Sequence, residues 1–135
     1  MGILTGTRPS RLGKVKAEDG SIRLHPVKTN LTNAVSSFEL KGYHAIAPLA
    51  APNPAAAWSK LEKIVRGMEG AKVVSAEADY LYAEFTTKLL GFVDDVEFLL
   101  DAAHQRIHLR SASRLGRKDF DVNRKRIESI RKQLA

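Results

Sequence analysis

The chain has no cysteine among its 135 residues. That excludes a disulfide framework, a thiolate nucleophile and any thiolate-ligated metal site. A chain of this length does not need such staples, because one core can bury roughly two-thirds of the unfolded surface. Long apolar runs are missing as well. The longest, Ala45 to Pro52, is broken by proline and falls far short of the ~20 residues of a membrane-spanning helix. Met1 to Gly20 contains no apolar stretch of the kind that marks a secretory signal. Cytoplasmic location is therefore the expectation. No glycine-rich phosphate loop and no Gly-x-Ser-x-Gly elbow occurs. The four histidines, His25, His44, His104 and His108, lack metal-ligand spacing, and no metal or cofactor is expected.

What is present reads as a folded protein: 44% hydrophobic and 27% charged residues. The net charge of +7 directs attention to anionic partners, although the excess is spread over both ends of the chain.

Residues 1–52 are punctuated by Gly6, Pro9, Gly13, Gly20, Pro26 and Pro48 and carry no sustained period. They are expected to form an irregular arm on the core, with short strands at Ser21 to Leu24 and Tyr43 to Ile46. Residues 53–135 complete a single domain with a helix, two hairpins and a second helix. Asn53-Pro54 is a helix start, since Asn caps and Pro suits the first helical position. Ala57, Trp58, Leu61, Ile64, Val65 and Met68 follow at helical spacing, with Trp58 as a core anchor.

Lys72 to Glu77 and Tyr80 to Thr87 flank Ala78-Asp79 as one hairpin, and Phe92 to Asp101 and Gln105 to Ala112 form another. Alternation places Leu81, Ala83, Phe85, Val96, Phe98, Ile107 and Leu109 on one face. Glu84, Asp95 and Glu97 fall on the other. A two-residue turn pairing Asp101 with His104 would set Glu97 opposite His108 and Asp95 opposite Arg110, with Phe98 facing Ile107 and Val96 facing Leu109. The second helix starts near Asp119 or Asp121 and directs Asn123, Ile127, Ile130 and Leu134 inward. The fold class is thus α+β: a four-stranded antiparallel sheet with two helices on one face and the irregular N-terminal arm.

The densest polar cluster comprises Asp94, Asp95, Arg110, Ser111, Ser113, Arg114, Asn123 and Arg126. Hydroxyls and guanidinium forks so close together can hold a phosphate or carboxylate. The competing reading is mutual ion pairing, with the arginines consumed by Asp94, Asp95 and Asp119. Asp94 falls on the apolar side of its strand, where it needs a partner such as Arg126. Leu89-Leu90-Gly91-Phe92, joining the hairpins, reads either as a contact loop or, preferably, as the closure of one end of the core.

Several strings resemble a known family. They are Tyr43-His44-Ala45-Ile46-Ala47-Pro48-Leu49, Ala57-Trp58, Tyr80-Leu81-Tyr82-Ala83-Glu84-Phe85, Leu90 to Phe98, Ile107 to Gly116 and Val122 to Ile127. Together they are similar to domain-of-unknown-function family 1499, from about Gly6 onward. The resemblance implies no particular reaction, cofactor or ligand, and its strings fall on the polar cluster. The family pattern commonly carries a Cys-Pro step and an Asn-Cys-Val-Ser-Ser step. Here His25-Pro26 and Asn33-Ala34-Val35-Ser36-Ser37 stand instead. The joint loss implies that the two cysteines act as a pair in other members.

Three functions compete. The first is a non-catalytic binding or accessory protein that recognises a small anionic ligand or a protein partner through the Arg/Ser/Asn cluster. The second is an enzyme with Asp94 or Asp95 as base and Arg110 or Arg114 polarising the substrate. The third is weak nucleic-acid binding by the basic last helix. Nucleic acid is disfavoured because Glu84, Asp95 and Glu97 share the sheet face that carries the stacking tyrosines.

Overall fold

A computed structural model of the chain describes residues 3–135; the first two residues of the arm lie outside the described residues. The arm begins with a short 3-10 turn at Ile3–Thr5. It then forms a two-stranded ribbon of β1 (Lys14–Lys16) against β2 (Ile22–Leu24). Two further short strands follow, β3 (Ala34–Ser36) and β4 (Leu49–Ala50). Helix α1 (Pro54–Arg66) opens the second part of the chain. After it come β5 (Ala71–Ala76), β6 (Tyr80–Thr86), β7 (Val93–Asp101), β8 (Arg106–Ser113) and α2 (Val122–Leu134).

The main sheet has six strands rather than the expected four. Its order is β3-β8-β7-β6-β5, and β4 also pairs with β8. The two hairpins form its antiparallel centre as expected. The extra strands come from the arm, and they cover the outer edge of β8, which would otherwise expose a row of unpaired backbone groups. The expected strand at Tyr43 to Ile46 is only an isolated bridge between Ala45 and Ser36. β3 was invisible to pattern analysis because all three of its residues are buried, so nothing alternates.

Both helices cover one face of this sheet. Leu61 and Val65 of α1 and Ile127 and Ile130 of α2 join Leu81, Ala83, Val96, Phe98, Ile107 and Leu109 in one core. Full burial of each large apolar side chain is worth roughly 1.5–3 kcal/mol. Trp58 is half-buried against this core, and its indole N–H donates to the Glu77 carbonyl. α1 stops at Gly67, and Gly70 turns the chain into β5 with φ +77°. A Cβ at Gly70 would lie 2.4 Å from the Thr86 carbonyl oxygen, so only glycine fits there. The opposite face of the sheet is covered by the arm. Leu12, Leu24 and Phe38 pack against Tyr80, Tyr82 and Leu99 there.

The β7–β8 register differs from the expected one by two residues. Asp101 pairs with Arg106, Glu97 with Arg110, Asp95 with Ala112, Phe98 with Leu109 and Val96 with Ser111. Ala102–His104 forms a 3-10 turn, closed by the Asp101 carboxylate accepting from the His104 N–H, and Gln105 adopts φ 54°. The connection is therefore two residues longer than the expected turn. A two-residue slip keeps every side chain on its own face, and alternation along the strands cannot detect it.

Candidate functional site

The eight residues of the predicted cluster divide across the sheet. Asp94, Ser111, Ser113, Asn123 and Arg126 form a network on the helix face. Asp95, Arg110 and Arg114 belong to another on the arm face.

On the helix face the buried Asp94 accepts from Arg126 Nη2 at 2.7 Å, the pairing its apolar surroundings demanded. Arg126 also donates to Asn123 Oδ1 at 2.8 Å and lies over the Phe85 ring, 4.7 Å from its centroid. Ser111 Oγ donates to the same Asn123 oxygen at 2.6 Å. The Asn123 amide nitrogen is shared among Asn33 O, Ser113 Oγ and Asp119 Oδ2. Asp119 accepts from the Asp121 N–H and the Tyr43 hydroxyl, at 2.9 and 2.7 Å, and thereby fixes the entry to α2. Burial pushes the Asp119 carboxyl up, but the bonds from Tyr43 and Asn123 outweigh it and hold it below the ordinary range.

On the arm face Arg114 grips Asp95 with two N–H···O contacts of 2.8 Å and reaches Glu84 at 2.6 Å. Its hydrogen bond to Asp95 raises the guanidinium above its already high ordinary value. The Tyr82 hydroxyl donates to Asp95 at 2.5 Å, and Arg8 of the arm reaches Glu84 at 2.6 Å. Burial pushes Glu84 up; the Arg8 and Arg114 contacts more than reverse it. Next to this group, Glu97 is 1% exposed and accepts from the Tyr80 hydroxyl at 2.5 Å and from the Gly13 N–H at 2.7 Å. Burial, then the carboxylate contacts, push both tyrosine hydroxyls well above their usual pKa.

Arg110 completes this face. Its Nη1 donates to Glu97 Oε1 at 3.4 Å and to the Arg11 carbonyl at 2.9 Å, while its buried Nε has no acceptor. Beside it a cleft of about 450 Å³ opens between the arm and the sheet. Arg110 and Arg114 border it from β8 and its end, and Arg11, Ser10 and Lys28 from the arm. Arg11 and Lys28 are exposed and have no carboxylate partner among the described residues.

A third polar group lies at the other end of β8. The expected Glu97–His108 pair does not form; His108 stands opposite Leu99. Its Nδ1 lies 2.8 Å from Ser37 Oγ, which itself accepts from the Leu109 N–H. Phe38 stacks on the imidazole at 4.0 Å. Burial and the nearby Arg106 pull His108 down to about 4, so it is neutral at pH 7. Asp101 pairs with His104 and Arg106, and among the described residues no carboxylate bonds to the His108 ring as in a Ser-His-Asp arrangement. Among the described residues no three His, Asp or Glu side chains cluster as a metal site requires.

Arg8, Arg11 and Lys28, on the irregular arm, were not part of the predicted cluster. Their only signal was charge. Tyr80 and Tyr82 could be found from the strand alternation that puts them on the face of Asp95 and Glu97.

The fold and these networks define an α+β protein whose central sheet carries helices on one face and a salt-bridged arm on the other. The chain belongs to the family described as "Protein of unknown function (DUF1499)", whose match spans residues 23–134. No curated protein and no solved structure matches it.

Proposed function

We propose that the protein is a non-catalytic binding protein for a small anion, a phosphorylated or dicarboxylate metabolite, held in the cleft between arm and sheet. The observation that carries this reading is the excess of cations around the cleft. Arg114 is matched by Asp95 and Glu84 and Arg110 by Glu97, whereas Arg11 and Lys28 are unmatched on the opposite lip. Arg110 contributes a further incentive, because a buried N–H without an acceptor costs about 1–3 kcal/mol. An anion drawing its fork toward the cleft would satisfy that donor. Ser10 and Thr7 supply hydroxyls on the same lip.

Catalysis by Asp94 or Asp95 has less support. Both carboxylates are buried and held by arginines, Asp94 beneath α2 and Asp95 between Arg114 and Tyr82, which leaves neither free to take a proton from a substrate. The basic last helix is also a poor nucleic-acid surface. Arg124 and Arg131 are bound to main-chain carbonyls of the arm, and Arg126 to Asp94.

An amide NMR titration with inorganic phosphate, pyrophosphate and a dicarboxylate tests the proposal. Saturable shifts confined to Thr7–Arg11, Lys28 and Arg110–Arg114 are expected. They should persist at moderate salt and be lost in an Arg11→Gln/Lys28→Gln variant. Diffuse shifts that vanish with added salt would mean that the cleft merely attracts counterions.

A further inference from the structure

The loop Leu89-Leu90-Gly91-Phe92 does not close the core, as the preferred sequence reading held. Leu89 is 90% exposed and Leu90 54%. The loop is nevertheless built: Thr87 Oγ1 accepts from the Phe92 N–H, and the Gly91 N–H is bonded to the Thr87 carbonyl. The loop entering α2 lies beside it, since Thr87, Phe92, Leu115, Phe120 and Val122 line one apolar cavity of about 260 Å³. That second loop also directs apolar side chains into water: Phe120 is 84% exposed, with Leu115 and Val122 about half as much. Phe120 and Asp121 adopt φ values of 51° and 68°, a costly left-handed pair whose result is a phenylalanine in solvent. Among the described residues, five of the eight exposed large apolar side chains belong to this one end of the molecule.

Cations surround these tips. Lys88, Arg117, Lys118 and Lys125 are all exposed there, and Lys88 and Lys125 border the same hollow as Val122. The carboxylates of this end are largely withdrawn: Asp94 is buried under Arg126 and Asp119 under Tyr43 and Asn123. Two carboxylates at this end stay exposed among the described residues, and each faces a cation: Glu69 lies 3.8 Å from Lys88, and Asp121 accepts from Arg124 at 3.2 Å.

We infer that this end of the molecule, the Thr87–Phe92 and Leu115–Val122 loops, is a peripheral attachment surface for an anionic lipid bilayer. Apolar tips standing separately on two loops enter the acyl boundary, while the surrounding lysines and arginine meet anionic headgroups. Charge complementarity selects this occupant, because an apolar patch made for a neutral protein face has no need of an interleaved cationic ring. No helix of the described residues is long and apolar enough to cross a membrane, so the attachment would be superficial and reversible. The surface adjoins the arm-face cleft, with which it shares Ser113 and Gly116 as lining residues, but none of its apolar tips or cations lines that cleft.

The absence of cysteine makes the test direct. An environment-sensitive fluorophore is attached to Leu89→Cys, or to Ala78→Cys in the turn at the opposite end of β6, and titrated with vesicles. With about 30 mol% phosphatidylglycerol in phosphatidylcholine, a blue shift is expected at position 89 and none at 78. Cosedimentation of the unlabelled chain should be more than tenfold stronger than with phosphatidylcholine alone, and should weaken with salt. Phe120→Ser with Leu90→Ser should reduce vesicle binding about tenfold, while the far-ultraviolet circular dichroism and melting stay unchanged. Inorganic phosphate at concentrations that saturate the cleft should not displace the vesicles. Absence of binding, equal binding to neutral and anionic vesicles, or a shift at position 78 equal to that at 89 would overturn the inference. So would a fall from dimer to monomer caused by the double serine variant, which would identify the patch as a contact between copies of the chain.

Discussion

The two faces of the central sheet are stabilised in different ways. The helix face is a continuous apolar core with a single buried network, from Asp94 through Arg126 to Asn123, at one end. The arm face has a small apolar cluster and a row of carboxylates, Glu84, Asp95 and Glu97, matched by Arg8, Arg114 and Arg110 and by two tyrosine hydroxyls. Apolar burial is indifferent to pH and salt over ordinary ranges, whereas ion pairs hold their covering only while their partners stay charged. The difference makes the helix layer the permanent half of the fold. Val35, Ile46 and Leu49 anchor the later part of the arm in that core, so the covering held by ion pairs is the part before β3, and the candidate cleft lies under it.

The sharpest way to break the comparison is to remove Arg114. Its side chain is 7% exposed and serves both Asp95 and Glu84. Arg114→Met leaves the buried Asp95 without its cation and Glu84 with Arg8 alone, and should cost about 3–5 kcal/mol, read by urea denaturation. A triple variant that adds Asp95→Asn and Glu84→Gln should recover much of that loss, since the penalty comes from unpaired charge rather than from lost packing. Limited proteolysis should find the arm cut first in the single variant, with α1 and α2 protected. A loss below 1 kcal/mol would mean that water already reaches this network.

The helix face was nearly transparent in the sequence, and for the same physical reason that it is stable. Apolar residues recur at the periods of their elements, so Leu61, Val65, Ile127 and Ile130 and the alternation of β6, β7 and β8 could be read directly. Even the Asp94–Arg126 pair followed from a charge on an apolar face. The arm lacked such a signal. β3 and β4 are three and two residues long, and their placement depends on the exposed edge of β8 rather than on their own pattern. The β7–β8 slip had a similar cause, since the turn that sets it depends on a left-handed Gln105, a residue type that does not advertise that conformation. For the candidate site, residues on the strands were legible and their cationic partners on the arm were not. Arg11 and Lys28 come into range of Arg110 only through tertiary structure.

A pH series separates the faces next. His108 lies on the arm face, and its folded pKa of about 4 is below the unfolded value of 6.5. As pH falls, the unfolded chain takes up this proton first. The stability due to a neutral His108 is therefore complete above pH 6.5 and is lost progressively toward pH 4. The loss amounts to on the order of 3 kcal/mol. His108→Gln should flatten the dependence of unfolding free energy on pH within that window. Glu84, Asp101 and Asp119, all lowered, make their own contributions at more acidic pH. An unchanged slope in the variant would show that the folded protein protonates His108 as readily as the unfolded chain does.

The smallest contrast compares one hydroxyl on each face. Tyr80→Phe removes the donor to Glu97 Oε2, a hydrogen bond to a buried charge, and should cost about 1.5–3 kcal/mol. Ser111→Ala removes a donor to the neutral Asn123 Oδ1, which still accepts from Arg126, and should cost only about 1 kcal/mol. The two should also differ in where the loss is felt. Glu97 is tied to the Gly13 N–H, so Tyr80→Phe should speed amide exchange at Gly13 and along β1. Ser111→Ala should leave those amides alone and act at the start of α2 instead. Equal exchange at Gly13 in both variants would mean that the faces open together, and the arm would then be an integral layer of the fold rather than a separately adjustable covering.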